Sequence, residues 1–485
     1  MPPGPYLVAG MGRAGKAAVG ALTRHGSPGA VHAWDSRNGA RQREAAAALG
    51  REGVKATYGD DGVALLDGPP APQTVVKSPG LPPSTPILDA AARQELAVID
   101  EAELGWRLDP RPLVAVTGTN GKSTTVSLVV AILKAVGRSP ITAGNTTFGV
   151  PYSTAADRPG DVIVAELSSF QLEGCPALLP DAAVLTNLTH DHLYRHRTVE
   201  EYEHCKRRLF IRDGAAVPAA AIGIDQECGR KLARDLRELG STVVTFGHHP
   251  EARRRVIAAA PELGGGEVQI AEGTGTRTIR SRLTGTHNAL NVAAALALAD
   301  ALGFAPATAS TAIEETDALP GRYERLRSAA GYEVIVDYAH NPDGVGQALD
   351  TAREIVTARG GGALRVVLST LTMVGREQAH AVGRAGGGRA DHLILTTNRW
   401  TLDDPPNRLP DGLLEGAQET CRDTPEVQTD RARAIERALC AARPGDLVMI
   451  LDRGEGDNIV YDNDNRGRRF DDREEVRALL ASLDT

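Results

Sequence analysis

The segment Leu113–Gly137 reads LVAVTGTNGKSTTVSLVVAILKAVG. A short apolar run ends at Thr117-Gly118, and a longer apolar run without glycine or proline starts at Lys122. A strand that feeds a helix through so tight a turn is half of a parallel crossover. It commits the chain to an α/β fold with helices packed on a parallel sheet. Gly118 and Gly121 let backbone N–H groups converge on phosphate oxygens. Lys122 supplies a point charge to the terminal phosphates, and Ser123 sets a hydroxyl for Mg²⁺ at the helix N-terminus. The candidate nucleotide loop is therefore Gly118-Thr119-Asn120-Gly121-Lys122-Ser123-Thr124. The strict GxxxxGK[ST] pattern fails because Val116 stands where its first glycine belongs, so this is a shorter variant. The competing reading is a helix cap with an incidental lysine.

A second glycine loop opens the chain. In VAGMGRAG, Gly10, Gly12 and Gly15 follow a strand, and Asp35 ends the next strand. That spacing fits a dinucleotide fold and, taken alone, predicts a nicotinamide cofactor. The same nest at a helix terminus also fits any nucleotide diphosphate.

Strand–helix alternation recurs along all 485 residues. YLVAG, AVHAWDS and TVVKSPG read as strands of a first unit, with Asp109-Pro110-Arg111-Pro112 as linker. DVIVAE and AAVLTNLT continue the second. YEVIVD, LRVVLST, HLILTTN and DLVMILD belong to a third, entered near ALPGRYERL. The expected architecture is three domains: a Rossmann-like one at 1–109, a central P-loop ATPase-like parallel sheet at 110–319 and a C-terminal Rossmann-like one at 320–485. A net charge of −8 argues against nonspecific nucleic-acid binding. Five scattered cysteines without a CxxC pair point to neither a disulfide framework nor a zinc knuckle, and fit the reducing cytoplasm. No apolar run reaches membrane-spanning length, and no signal peptide is evident.

Further motifs follow in order: TGTNGKSTT, AELSSFQLE, TNLTHDHLYRH, YEHCKRRLF, GTHNALNVAAALALA, LPGRYERL and DYAHNPDG. Together they resemble the Mur ligase superfamily, ATP-dependent amide ligases that include the peptidoglycan enzymes and folylpolyglutamate synthase. In the first unit GMGRAG, WDSRNG, VKSPGLPPSTPILDAA and VIDEAEL resemble the MurD branch, which joins glutamate to UDP-N-acetylmuramoyl-L-alanine.

The resemblance implies roles residue by residue. Gly12, Arg13 and Ala14 would hold the UDP diphosphate, Asp35, Ser36 and Arg37 would meet the uracil, and Asn145 the UDP-sugar. Lys122 would stabilise the transferring phosphate. Ser123 and Glu166 would hold one Mg²⁺. His192 would ligate a second ion or orient the acyl phosphate. Lys206 matches a lysine that CO₂ carbamylates into a metal ligand. That chemistry requires a neutral amine, and without the resemblance Lys206 reads as one solvated lysine in a basic run. Asn288 and Asn291, with His287, would meet the nucleotide; their other reading is a helix N-terminus. Arg322 would reach the ATP phosphates and Asp337 the ribose, so that an interdomain cleft closes on ATP. The family expectation is a monomer acting on small molecules. His190, His192, His196 and His204 also raise the question of zinc, for which a structural role of the other three is the preferred answer.

The third unit departs from the MurD branch. DYAHNPDG stands where that branch reads Asp-Ser-Lys-Ala-Thr-Asn, and it is typical of the MurE, folylpolyglutamate and cyanophycin synthetase branches. Yet TTNRWTLDDP and DRGEGDN replace the expected Asp-Asn-Pro-Arg and Gly-Lys-Gly-His-Glu. The amino-acid pocket is therefore this chain's own. Arg376, Arg399 and Arg453 are candidates for gripping carboxylates. Three alternatives stay open: ligase chemistry redirected to a natural product or polyamino acid, a nicotinamide oxidoreductase, and a noncatalytic UDP-sugar sensor.

Overall fold

The computed structural model describes residues 1–26, 28–189, 191–273, 275–399, 407–454, 458–461 and 466–483. Three large sheets follow one another along the chain. The first has five parallel strands, ordered Lys55–Tyr58, Val31–Asp35, Tyr6–Ala9, Thr74–Lys77, Ala97–Asp100. Tyr6–Ala9 and Thr74–Lys77 are buried throughout, because helices cover both faces. The strand Lys55–Tyr58 escapes the sequence reading. It is an edge strand, partly exposed along its length, and carries no apolar run.

The central sheet has nine strands. Leu113–Thr117 lies between Val162–Glu166 and Ala182–Leu185, all three fully buried and parallel. The helix Lys122–Ala135 follows the first of these and shares a core with Thr286–Ala301. The latter is apolar almost all round, as a helix enclosed by its own domain must be. At one edge Arg254–Glu262, Gly265–Glu272 and Gly275–Ser281 form an antiparallel extension that the sequence reading does not register. Their exposed faces dilute the apolar signal.

The third sheet has six strands, ordered Glu324–Arg327, Glu333–Val336, Leu447–Ile450, Leu364–Leu368, His392–Leu395, Glu426–Val427. Only the first pair is antiparallel. The helix Pro342–Ala358 packs on one face and Arg431–Cys440 with Asp472–Leu483 on the other. The segment joining the first two sheets is tied down rather than loose. Arg111 pairs with Asp109 at 2.6 Å and donates to the carbonyls of Ala155, Arg158 and Gly160. No described helix is long and apolar enough to cross a membrane.

Candidate active site

The strand Leu113–Thr117 delivers the chain to Gly118, and the helix begins at Lys122. Between them the loop is braced from several sides. Asn187 accepts from the Asn120 backbone N–H at 2.9 Å, and the Thr186 hydroxyl donates to the Asn120 carbonyl at 2.7 Å. Thr119 shares a hydrogen bond with the Tyr202 hydroxyl at 3.0 Å. Lys206 Nζ donates to the Gly118 carbonyl at 2.6 Å. Gly121 has φ +82°, and a Cβ there would fall 2.1 Å from Asn291 Oδ1. Only glycine fits.

The Ser123 hydroxyl donates to Glu166 Oε2 at 2.5 Å, and Asn145 Nδ2 donates to Oε1 at 3.3 Å. Asn145, expected on the UDP-sugar, thus lies within reach of the carboxylate at the end of Val162–Glu166. A hydroxyl and a carboxylate are oxygen donors suited to a hard divalent cation. Among the described residues no three His, Cys, Asp or Glu side chains converge as a metal cage. An ion held by Ser123 and Glu166 would draw its remaining oxygen ligands from water and from phosphate. The histidine-rich stretch gathers no zinc site among the described residues: His196 bonds the Ser169 hydroxyl at 2.9 Å and His204 is exposed. His190 lies outside the described residues.

His192 opens a short helix in the left-handed region, φ +57°. Burial, reinforced by Lys206, His340 and Lys122 and opposed by Asp191, pushes its pKa down to about 4. Its imidazole is neutral at pH 7 and keeps a lone pair. Lys206 is enclosed beneath the loop, with the Tyr202 ring 4.7 Å from its Nζ. Burial first, then the charge of Lys122, drives its pKa well below the lysine range.

Across a cavity of about 310 Å³ lies the third unit. Arg322 extends Nη2 to within 3.3 Å of Ser123 Oγ, its guanidinium stacked 4.3 Å from the Tyr338 ring centre. Asp337 accepts the backbone N–H groups of Tyr323 and Ala339 at 2.7 and 2.9 Å. Asn291 donates to Asn288 at 2.8 Å, and Asn288 to the Thr284 carbonyl at 2.6 Å. Thr119 to Thr124, Asn145, Glu166, His192, Asn288, Asn291, Arg322 and Asp337 all line this one cavity. The third unit also touches the loop directly. Asn341 donates to Asn120 at 2.9 Å and to Asp191 at 3.1 Å, and Gln378 donates to Asp191 at 2.9 Å.

The first glycine loop stands apart from that cavity. A Cβ at Gly15 would fall 1.7 Å from the Gly10 carbonyl oxygen, so strand and helix meet there only through glycine. Asp35 is buried and accepts the Met11 N–H at 2.8 Å and two guanidinium bonds from Arg37 at 2.8 Å each. Burial pushes its pKa up, but the bonds from Arg37 and Met11 outweigh it and leave the carboxylate below its ordinary range. Asp35 thus shapes the loop and aims Arg37, whose side chain and neighbour Ser36 face solvent. Gly12 caps the helix that begins with Arg13 and Ala14. Arg13 reaches into the central unit, donating to the carbonyls of Thr146, at 2.9 Å, and Gly149.

Residues 116–299 match the family description "Mur ligase middle domain", and residues 321–453 match "Mur ligase, glutamate ligase domain". The UDP-N-acetylmuramoylalanine--D-glutamate ligase of Jannaschia sp. is 32% identical over 502 aligned positions, spanning 96% of both chains. The chain belongs to the Mur ligase family. Its members are ATP-dependent amide ligases, and so is this enzyme. A UDP-N-acetylmuramoyl-L-alanyl-D-glutamate--2,6-diaminopimelate ligase of Geobacter metallireducens is 31% identical over 81% of this ligase and 83% of its own length. Among solved structures, Thermotoga maritima UDP-N-acetylmuramate-alanine ligase MurC superposes with a TM-score of 0.62 over 99% of both chains at 18% identity. Mycobacterium tuberculosis folylpolyglutamate synthase superposes at 0.58 over 72% of this ligase and 90% of its own chain, with 20% identity. At such identities the superpositions speak for the fold alone.

The ligase's three candidate carboxylate-gripping arginines part company. Arg376 is exposed and pairs with Glu415 on the surface. Arg399 and Arg453 are buried beyond the carboxyl ends of the third sheet. Arg453 donates to Asn398 at 2.7 Å, and Asp452, at φ +94°, accepts from Ser369 and Asn398 at 2.5 Å each. Residues 400–405 and 455–457, within the two departing motifs, lie outside the described residues. Nothing in the spacing of the sequence singles out Thr186, Asn187 or Tyr202. The signal was present in TNLTHDH and YEHCKRRLF, but only tertiary packing turns those side chains onto the loop.

Proposed function

We propose that this ligase joins glutamate to UDP-N-acetylmuramoyl-L-alanine during peptidoglycan precursor synthesis. The observation that carries the reading is the likeness to a D-glutamate-adding relative across 96% of both chains, which takes in the first glycine loop as well as the ATP-site motifs. Under this reading Gly12, Arg13 and Ala14 seat the UDP diphosphate, and Asp35, Ser36 and Arg37 frame the uracil. The first loop then has no need of a nicotinamide.

The acceptor carboxylate attacks the γ-phosphorus of ATP, forming an acyl phosphate and releasing ADP. The amino group of glutamate then attacks the acyl carbon, and the tetrahedral intermediate expels phosphate and a proton to leave the amide. Both steps gather anions, so cationic side chains must be in place beforehand. Lys122 and Arg322 supply those charges from opposite walls of the cavity. Asn288 and Asn291 meet the base or ribose, and Asp337 the ribose. Ser123 and Glu166 would hold one Mg²⁺, and His192 with a carbamylated Lys206 would hold a second; bound there, the ions would supply positive charge to the phosphate oxygens. The low amine pKa of Lys206 supports the carbamate, since only a neutral amine adds CO₂.

Phosphate release that requires both UDP-N-acetylmuramoyl-L-alanine and glutamate is the expected result. The Asp-Ser-Lys-Ala-Thr-Asn segment is missing, so L-glutamate is assayed beside D-glutamate, with product mass and chirality as readout. Turnover with neither isomer overturns the assignment. DYAHNPDG and the diaminopimelate-adding relative support a second reading, in which another amino acid enters the third unit. Turnover with diaminopimelate and not with glutamate would select it.

A further inference from the structure

Lys77 and Asp100 stand in register at the carboxyl ends of neighbouring strands of the first sheet. Their side chains are 4% and 0% exposed, and Nζ lies 2.9 Å from Oδ2. Desolvation largely offsets the attraction in such a pair, so net stability is a poor reason for it to be there. What the pair does do is face the central unit. Lys77 Nζ also donates to the Phe170 carbonyl at 3.1 Å, and the Asp100 N–H donates to the Gly174 carbonyl at 2.7 Å. The first sheet therefore holds the short helix Ser169–Leu172 near its start and, through Gly174, just past its end. The approach is close: a Cβ on Gly174 would fall 2.8 Å from the Asp100 nitrogen and 2.9 Å from Lys77 Cε.

The Phe170 ring projects from this helix into the wall of the catalytic cavity. It lies 4.8 Å from the His192 ring, centre to centre, with the Arg195 guanidinium 4.6 Å over it. Arg195 donates back to the Leu81 carbonyl of the first unit at 3.0 Å. Leu81 and Ser78 press on the first glycine loop, each 3.0 Å from where a Gly10 Cβ would lie. A continuous packed path thus runs from the diphosphate nest to His192.

We infer that Lys77 is a positioning residue: by holding the Phe170 carbonyl it sets the ring against which His192 is placed, joining the acceptor loop and the phosphoryl-transfer site in one rigid connection. The inference rests on the acceptor and ATP assignments proposed above.

The test replaces both buried charges at once, Lys77→Met with Asp100→Asn, which preserves volume and the amide-capping oxygen that Ala102 N–H needs. In the full-length protein, amide hydrogen exchange should quicken in residues 168–174 and 191–194 while residues 10–16 keep their protection. With the accepted substrates kcat should fall about tenfold, and KM for acceptor and for ATP should stay within about twofold. Phe170→Leu, at a half-buried position on the cavity wall, should lower kcat comparably, and combining it with the pair should add little. Exchange confined to the first unit, fully additive losses, or an unchanged kcat in Phe170→Leu would each overturn the inference. Wild-type protein without turnover on the muramoyl acceptor and glutamate would count against the substrate assignment, and the exchange pattern would then decide the role of Lys77 by itself.

Discussion

At Gly15 the forbidden Cβ meets the loop's own carbonyl, whereas at Gly121 it meets a side chain of the helix Thr286–Ala301. The first loop is braced mainly within its own unit, by Asp35 and the Trp34 carbonyl on the adjacent strand and by Ser78 and Leu81 packed beside Gly10, while the Arg13 side chain alone reaches across to the carbonyls of Thr146 and Gly149 among the contacts described above. The second is fixed by Asn187, Tyr202 and Lys206 of its own unit and by Asn341 of the third. Both nests have the backbone geometry that suits phosphate. A nest that only holds a ligand can be local, while one that must meet a second reactant gains from being wired to the parts that move.

Lys122→Ala should break the comparison most sharply. Turnover should drop by about 10³-fold or more, with acceptor affinity by calorimetry within about threefold. Loss of acceptor binding as well would deny the separation of the two sites. Gly121→Ala should weaken nucleotide binding by about 100-fold and spare the acceptor; Gly15→Ala should do the reverse. Matching titrations of both ligands on both variants check this, and identical profiles would refute it. Asp35→Asn, which weakens the charge-assisted grip of Arg37, should weaken acceptor binding by about tenfold and leave nucleotide affinity alone. The smallest effect is expected at Glu101. Burial lifts its pKa from 4.5 to about 7, against the opposing pull of the bonds its carboxylate accepts from the Ser153 N–H and hydroxyl at 2.6 Å each. The folded state binds the extra proton in that window, so this stability is complete below pH 4.5 and lost as pH rises through 7. Glu101→Gln should therefore raise unfolding stability by about 2 kcal/mol at pH 8 and by little at pH 5, read from thermal melts at the two pH values.

The two loops also differ in how much of them could be read from the chain. Strand, glycines and helix follow one another within a few residues in each, so both loops and the parallel sheets around them were legible from spacing. Asp35 was legible too, because its position ends a strand. Lys206 was not, except through family likeness. Within Lys206-Arg207-Arg208 it resembles its solvated neighbours, and only the folded helix Val199–Arg207 turns it inward while Arg207 stays partly exposed. The edge strand Lys55–Tyr58 and the antiparallel extension at Arg254–Ser281 were illegible for a related reason. Strands with an exposed face owe their existence to partners distant in sequence, not to an apolar run of their own.

That extension bears on how the edges of the central sheet are guarded. A nine-stranded sheet ends in a row of open backbone groups, a template on which another chain could add a strand. Here the last strand, Gly275–Ser281, carries Arg277 and Arg280, paired across the ladder with Glu272 and Glu267. The opposite edge strand begins at Pro140, which has no N–H to offer. A large sheet that carries the phosphate loop is thus flanked by charge at one border and by an imino acid at the other, and both disfavour the addition of a further strand.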